Sequence, residues 1–354
     1  MRRLLPFAAC LGVSAVLAQA PPAEPKTEEH YKNIQVLKGY PADQLVPTMQ
    51  FISSSLDVDC DYCHVERAPE KDDKKEKQTA RKMIAMTLGI NRDTFGGKRE
   101  VTCYSCHRGT THPLATPLVA ERDEPQAAAA APAAAPPAAE PVLEHYLQAV
   151  GGAEALAKVE TRIGKGTLTG LAPDPLPVEV YAKAPDKRVS IVHTARGESI
   201  TAFDGKGGWL GNPGRPAREM TAAESEAAHL DAYFRFPAQL KQLFSEFRVR
   251  PAEKLDGHDV VHVVARNEGR PPVDLYFDAQ SGLLLRLVRY AETLLGRNPT
   301  EVDYADYREA DGVKLPFRWT IARPNGRFTI QLESVQHNAP IDDARFNRPP
   351  QAPS

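Results

Sequence analysis

A stretch in the N-terminal third of the chain carries apolar side chains with the period of an α-helix. The apolar positions fall at i, i+4, i+7 and i+11, the spacing of one face of an amphipathic helix. They are Leu45, Met49, Ile52 and Leu56. Pro47 suits the first turn of such a helix, because no intrahelical hydrogen bond there requires its missing N–H. The pattern therefore predicts a helix that starts near residue 45.

A second helix is predicted from about Lys74. Its apolar face consists of Ala80, Met83, Thr87 and Ile90. Gly96-Gly97 is expected to break the chain after it, since glycine punctuates regular structure. The segment 66–82 carries twelve charged side chains of both signs. Such a segment indicates a solvated loop and helix face or, alternatively, a docking patch for a partner protein.

In the C-terminal half the apolar period changes to two. The clearest alternating runs are Phe317-Trp319-Ile321 and Phe328-Ile330-Leu332, and such alternation is typical of strands with one buried face. The turn dipeptides between runs are Asp204-Gly205, Asp256-Gly257, Ser281-Gly282, Asp311-Gly312 and Asn325-Gly326. The helical segments are 142–150, 153–159 and 222–247, the last interrupted near Pro237. This half is predicted to be an α+β domain whose curved antiparallel β-sheet wraps around the helices.

Each helix of the N-terminal third leads to a Cys-x-x-Cys-His motif, the pattern of covalent c-type haem attachment. Two cysteine sulfurs add to the haem vinyl groups, and the adjacent histidine offers an imidazole nitrogen to the iron. The motifs hold four of the five cysteines in the chain. We therefore predict two covalently attached c-type haems, bound by Cys60, Cys63, Cys103 and Cys106, with His64 and His107 as iron ligands. Zinc binding or disulfide formation by the two cysteine pairs is the alternative.

The methionines predict the second axial ligand of each iron. Three of the five in the chain, Met49, Met83 and Met86, lie on the helices that precede the motifs. A thioether opposite histidine gives a six-coordinate iron with a raised reduction potential, suited to electron transfer. Met49 is predicted for the first motif and Met83 or Met86 for the second, although a helical methionine is also a common core residue. His30 and His112 would instead give bis-histidine ligation.

The first 20 residues have the composition of a secretory signal: Arg2-Arg3, the apolar run 4–17 and the cleavage site Ala18-Gln19-Ala20. Cleavage would also remove Cys10. The formal net charge of −2 gives no basic surface for nucleic acid. We predict an exported, periplasmic protein that is not transmembrane after cleavage. An uncleaved anchor and lipid attachment at Cys10 are alternatives that would associate it with a membrane.

A composition change divides the rest of the chain. From Pro125 to Pro141, 15 of 17 residues are alanine or proline, which makes a stiff spacer without a core. The predicted segments are a signal peptide (1–20), a mainly α dihaem cytochrome c domain (21–112), a linker (113–141), the β-sheet domain (142–348) and a tail (349–354).

Several segments of the first domain resemble the cytochrome c subunit of photosynthetic reaction centres. They are residues 32–38, Pro47-Thr48-Met49-Gln50-Phe51, Ala80-Arg81-Lys82-Met83-Ile84-Ala85-Met86-Thr87 and 101–109. The resemblance covers about residues 32–112 and implies repeated units of a helix with the axial methionine, a loop and the Cys-x-x-Cys-His motif. It implies that Met49 ligates the iron opposite His64 and that Met83 ligates the iron opposite His107. The chain departs from that family by having two units where the full subunit has four.

The second half resembles, more weakly, the outer-membrane lipoprotein-sorting (LolA-like) fold. The resemblance rests on residues 146–152 with 164–168, on Phe203-Asp204-Gly205 before Trp209, and on Tyr304-Ala305-Asp306-Tyr307 before residues 311–316. It implies an unclosed barrel with an apolar concave face, and a lipid or envelope partner is a suggestion from that pattern alone.

Outside the two motifs we predict no catalytic residue. The chain has no Gly-x-Ser-x-Gly, and Lys206-Gly207-Gly208 lacks phosphate-loop spacing. The predicted function is an electron carrier between redox partner proteins, and not an enzyme. One alternative is a haem enzyme of the dihaem peroxidase type, which needs an open iron position. Another is a lipid- or lipoprotein-binding protein in which haem is a sensor or anchor.

Overall fold

The computed structural model describes residues 25–113, 138–324 and 326–349. The predicted signal peptide with Cys10, residues 114–137 of the predicted linker and residues 350–354 of the predicted tail lie outside these ranges. Among the described residues, no helix combines the length and the apolar character needed to cross a bilayer. The described chain forms an N-terminal helical unit and a C-terminal sheet domain.

The helical unit has the predicted order of helix, motif, helix, motif. Its elements are α1 (Thr27–His30), a 3₁₀ turn (Ala42–Gln44), α2 (Leu45–Leu56), α3 (Cys60–Cys63), α4 (Lys75–Phe95) and α5 (Cys103–His107). Helix α2 ends at Asp57, whose φ is 53°, and α4 ends at Gly96, whose φ is 60°. Both residues are left-handed, a conformation that commonly terminates helices and that glycine adopts without strain.

The buried faces of the two long helices contain more polar residues than the apolar pattern predicts. Helix α2 buries Leu45, Thr48, Phe51, Ile52 and Ser55, and leaves Met49 and Leu56 half-buried. Helix α4 buries Lys77, Ile84, Thr87 and Asn91. Only Thr87 of its predicted face is therefore fully buried. Lys77 and Asn91 are buried instead because they form hydrogen bonds with loop carbonyl groups, as described below.

Four helices belong to the sheet domain: α6 (Glu140–Ala149), α7 (Gly152–Ala157), α8 (Ala222–Ala232) and α9 (Phe236–Leu243). Gly151, with φ of 112°, separates α6 from α7 as predicted. The predicted break near Pro237 is also present, because that proline lies in the first turn of α9. The prediction of helix as far as residue 247 was wrong. Residues from Glu246 onward pair with a neighbouring strand instead.

The domain is built on fourteen strands. They are β1 (Thr161–Thr169), β2 (Leu176–Lys183), β3 (Lys187–Thr194), β4 (Gly197–Phe203), β5 (Gly208–Asn212), β6 (Arg215–Glu219), β7 (Glu246–Val249), β8 (Glu253–Leu255), β9 (His258–Arg266), β10 (Val273–Asp278), β11 (Leu284–Glu292), β12 (Arg297–Ala310), β13 (Val313–Arg323) and β14 (Gly326–His337). A short 3₁₀ turn, Asp343–Phe346, follows them.

The strands form one antiparallel sheet in the order β6-β5-β4-β3-β2-β1-β14-β13-β12-β11-β10-β9-β7, with β8 beside β9. Strands β6 and β7 stand at its two ends, so the sheet is unclosed. Helices α6, α7 and α9 pack on one face, where Leu143, Leu156 and Leu240 share a buried cluster with residues of β9, β10 and β11. The predicted α+β domain with a curved antiparallel sheet is confirmed.

Predicted turn dipeptides join neighbouring strands. Asp256-Gly257 connects β8 to β9 and Asp311-Gly312 connects β12 to β13, and all four residues have positive φ. Two successive residues with positive φ match the twist of a two-residue hairpin. These dipeptides therefore fix the register of the strands that they join.

The two units share a hydrophobic cluster. Leu295, in the turn between β11 and β12, is 1% exposed and packs in one cluster with Leu45, Phe51, Ile52 and Ile84. The sheet domain thus contributes a core residue to the helical unit.

Candidate haem-binding site

Each Cys-x-x-Cys-His motif folds as one short turn of helix. Its two cysteines stand at i and i+3, a spacing that places side chains on one side of a helix. Cys60 and Cys106 are exposed, and Cys63 and Cys103 are partly buried. Burial raises the pKa of the Cys63 and Cys103 thiols. No disulfide links these cysteines. The described ranges contain no group of three or more His, Cys, Asp or Glu side chains placed to hold a metal ion.

The two motif histidines make equivalent hydrogen bonds. His64 Nδ1 lies 3.0 Å from the Pro69 carbonyl oxygen, and His107 Nδ1 lies 2.9 Å from the Thr110 carbonyl oxygen. A carbonyl oxygen only accepts, so Nδ1 carries the proton in both rings and Nε2 has a free lone pair. A hydrogen bond from the ring nitrogen that does not bind the metal commonly orients a metal-ligating histidine. Both rings are thus in the tautomer that an iron ligand requires.

Charged side chains surround the Pro69 carbonyl oxygen, which accepts the hydrogen bond from His64. Lys77 Nζ donates to the same Pro69 carbonyl at 2.8 Å and to the Lys71 carbonyl at 2.7 Å. Asp72 binds Lys77 at 3.0 Å and Arg81 at 2.9 Å. The hydrogen bonds from Arg81, Asn33 and Lys77 hold the pKa of Asp72 well below its usual range. The charged segment is therefore ordered around the first motif and is not simply solvated.

Asn91 plays the corresponding part for the second motif. Its Nδ2 donates to the Val101 carbonyl at 2.7 Å, and its Oδ1 accepts the N–H groups of Glu100 and Val101 at 3.0 and 2.9 Å. These bonds tie the segment before Cys103 to α4. The apolar pattern did not reveal Asn91 or Lys77, because both are polar residues on a helix.

The helix that leads into the first motif packs against the second motif, and the helix that leads into the second motif packs against the first. Helix α2 packs against α5, where Gly109 N donates to the Ser55 carbonyl at 3.0 Å, and α4 packs against α3. The long helices therefore face the motif of the other unit as well as leading into their own.

The methionines differ in exposure. Met49 and Met83 are half-buried, and Met49 packs against the cluster that also includes Cys103. Met86 is 48% exposed, which favours Met83 of the two candidates on α4. His30 and His112, the alternative ligands, are both exposed. The pairing of Met49 with His64 and of Met83 with His107 stays a prediction.

The sheet domain encloses a second feature, a cavity of about 250 Å³ between the sheet and helices α6 and α8. Its walls are mostly apolar but include Arg162, Arg188 and Asp231. Burial lowers the pKa of Arg162 to about 10 and also lowers that of Arg188. Within the described ranges neither arginine lies within 4 Å of a carboxylate, whereas Asp231 pairs with Arg289 at 2.9 Å. The cavity therefore has an excess of positive charge.

Residues 9–142 match the family described as "Photosynthetic reaction centre cytochrome C subunit". The chain is 37% identical over 93 residues to the photosynthetic reaction center cytochrome c subunit of Thermochromatium tepidum, covering 25% of this chain and 23% of that protein. The subunit of the same name from Rubrivivax gelatinosus is 30% identical over 93 residues, covering 25% of each chain. The chain thus spans about a quarter of the length of these relatives.

Solved structures resemble the other half. A DUF1329 family protein from Desulfovibrio piger has 11% identity and a TM-score of 0.43, over 59% of this chain and 96% of that one. A LolA superfamily protein from Nitrosomonas europaea has 13% identity and a TM-score of 0.41, over 60% of this chain and 98% of that one.

Proposed function

We propose that this chain is an exported c-type cytochrome that carries two covalent haems and transfers electrons between redox partner proteins. In this proposal four cysteines attach the haems and two His–Met pairs ligate the irons. They are Cys60, Cys63, Cys103 and Cys106, with His64 opposite Met49 and His107 opposite Met83.

One observation carries the proposal: both motif histidines hold their Nδ1 proton on a backbone carbonyl oxygen. Two unrelated Cys-x-x-Cys-His sequences would have no reason to share that orientation. Disulfide formation at the cysteines would not require it either. The family match over residues 9–142 supports the same conclusion.

A bound haem supplies a one-electron Fe(III)/Fe(II) couple, and the protein sets its potential through the ligands and their surroundings. The histidines are oriented through Pro69 and Thr110, and the methionines would fill the remaining axial positions. An iron with both axial positions filled has no site for a substrate. Electron transfer is therefore favoured over a peroxidase-type reaction.

The redox partners are proposed only as proteins. The relatives are named as reaction-centre subunits, but the match covers about a quarter of their length. An exported, periplasmic location is part of this proposal, and the composition of residues 1–20 and the usual site of c-type haem attachment support it.

The first test is the number of haems and their ligands. The purified full chain should contain two haems by pyridine haemochrome assay and intact mass, with a thioether-to-iron charge-transfer band in the oxidised spectrum. The variant Cys103→Ala/Cys106→Ala should keep one haem. A chain without covalent haem would disprove the proposal, and two haems without the band would point to bis-histidine ligation or an open iron.

A second function is proposed for the sheet domain, namely binding of an amphiphile with an anionic group. The cavity of about 250 Å³ is near the lower end of small-molecule pockets, and such pockets combine apolar walls with a few polar groups. Arg162 donates from Nε to His337 Nε2 at 3.1 Å, and its guanidinium lies 4.9 Å from the centre of the Phe234 ring. Arg162 is half-buried, and a partly desolvated cation without a carboxylate is costly, so a ligand carboxylate or phosphate would lower that cost.

We expect Arg162→Met to reduce binding of a fatty acid, with oleate as the probe, by about 10- to 100-fold, because a charge-assisted hydrogen bond contributes roughly 1.5–3 kcal/mol. Isothermal titration with the full chain measures this effect. Arg196→Met, at an exposed position, is the matched control and should bind as the unmodified protein does. Equal affinity in both variants, or no binding of oleate at all, would contradict the lipid proposal without affecting the haem proposal.

A further inference from the structure

The turn between β11 and β12 reaches out of the sheet domain into the helical unit. Thr293 closes this turn, since its Oγ1 donates to the Gly296 carbonyl at 2.9 Å. Leu295, at the tip, is 1% exposed and packs against Phe51 and Ile52 of α2. The turn therefore inserts into the face of α2 as a closed, preformed loop.

Polar contacts fix the position of the turn along α2. The Leu294 N–H donates to Thr48 Oγ1 at 3.3 Å, and Asn298 Nδ2 donates to the Pro47 carbonyl at 2.9 Å. Arg99, between α4 and the second motif, pairs with Glu292 and donates to the Thr293 carbonyl. Thr48 is fully buried, and its hydroxyl donates to the Gln44 carbonyl at 2.7 Å while it accepts the Leu294 N–H.

Gly296 allows the closest approach. A Cβ atom at this position would lie 2.1 Å from Cζ of Phe51, far inside van der Waals contact. The φ of Gly296 is not in the left-handed region, so the requirement for glycine here comes from the Phe51 ring and not from backbone strain. The turn and the helix are thus matched in shape at this point.

The three contacts surround one residue. Pro47, Thr48 and Phe51 lie on either side of Met49 in the first two turns of α2, and successive residues of a helix are rotated by about 100°. Holding positions 47, 48 and 51 therefore fixes the rotation and the height of α2, and with them the direction in which the Met49 side chain leaves the helix. Met49 itself is half-buried at the edge of the shared cluster.

We propose that the β11–β12 turn positions Met49 as an axial iron ligand, with Gly296 and Asn298 as the positioning residues. The inference rests on the proposed function, because it assumes a haem whose iron Met49 ligates. It gives the sheet domain a direct effect on a haem. The two units would then act as one redox module and not as separate domains joined by a linker.

The test compares Gly296→Val and Asn298→Ala with the unmodified full chain carrying both haems. Valine displaces the Phe51 ring, and alanine removes the bond to the Pro47 carbonyl. We expect both variants to keep two covalent haems, to lose about half of the thioether-to-iron band, and to lower the potential of one haem in a redox titration. Asn298→Ala decides the matter if Gly296→Val does not fold.

Gly207→Val is the matched control, since Gly207 has no neighbour within 4 Å of a Cβ position and its φ is not left-handed. It should keep the full band and both potentials. An unchanged band with unchanged potentials in Asn298→Ala and in folded Gly296→Val would overturn the inference and leave the proposed function standing. An unmodified chain without covalent haem, or without the band, would instead overturn the haem or methionine assignment on which the inference rests.

Discussion

Replacing Lys77 by methionine should lower the reduction potential of the haem at the first motif by about 40 to 90 mV. The Lys77 ammonium and the His64 ring share the Pro69 carbonyl oxygen, at 2.8 and 3.0 Å. Removing the ammonium leaves that oxygen to His64 alone, which makes the imidazole a stronger donor and favours the oxidised iron. The lost positive charge acts in the same direction. The range corresponds to a difference of about 1 to 2 kcal/mol between the oxidised and reduced states, part of the roughly 1.5–3 kcal/mol of a charge-assisted hydrogen bond, because a tenfold change is 59 mV for one electron.

A redox titration that resolves the two haems measures this effect. The potential of the second haem should not change, since His107 bonds the Thr110 carbonyl and no lysine among the described residues donates to that oxygen. Lys75→Met makes the same charge change at an exposed position of α4 and should leave both potentials almost unchanged. An equal shift of both haems in Lys77→Met would mean that the carbonyl contact is not the cause.

The replacement Asp231→Asn should lower the free energy of unfolding of the sheet domain by about 2 to 4 kcal/mol. Asp231 is the carboxylate paired with Arg289, whose side chain is 9% exposed, and the half-buried Arg188 lies close enough to Asp231 for their charges to interact. Breaking a buried pair typically costs about 3–5 kcal/mol because one charge is left unpaired. The value here is somewhat smaller, because the Asp231 side chain is 30% exposed.

Urea unfolding followed by tryptophan fluorescence measures this change, because both tryptophans of the chain, Trp209 and Trp319, lie in the sheet domain. With a slope of roughly 2 kcal/mol per molar urea, the midpoint should fall by about 1 to 2 M. Asp174→Asn, at an exposed position without an ion pair in the described ranges, should not move the midpoint. A midpoint unchanged in Asp231→Asn would show that Arg289 finds another partner.

Local patterns predicted the helical unit well. The i, i+4, i+7 spacing from Leu45 places α2 within its observed bounds, and Gly96 ends α4 as expected. The face of α4 was only partly predicted, because Lys77 and Asn91 are buried by bonds to carbonyls in the loops that flank the helix. Apolar periodicity takes account of hydrophobic burial alone, so it misses side chains that are buried as hydrogen-bond donors.

Strand and domain contacts were harder to predict because they are non-local. Residues 246–249 follow helical sequence, but pairing with β9 makes them a strand, and propensity yields to that tertiary contact. The burial of Leu295 has no local signal at all, since its partners lie on α2 and α4. Of the candidate site, the cysteines and motif histidines follow from the sequence, whereas the Lys77 and Asn91 networks required the structure.

The shared cluster also has a consequence for the order of assembly. Synthesis proceeds from the N-terminus, so both motifs are complete about 190 residues before Leu295 is made. Until then the face of α2 at Thr48 and Phe51 lacks the residue that covers it. The hydrophobic core of the helical unit is therefore complete only after the β11–β12 turn has been made and has docked on α2.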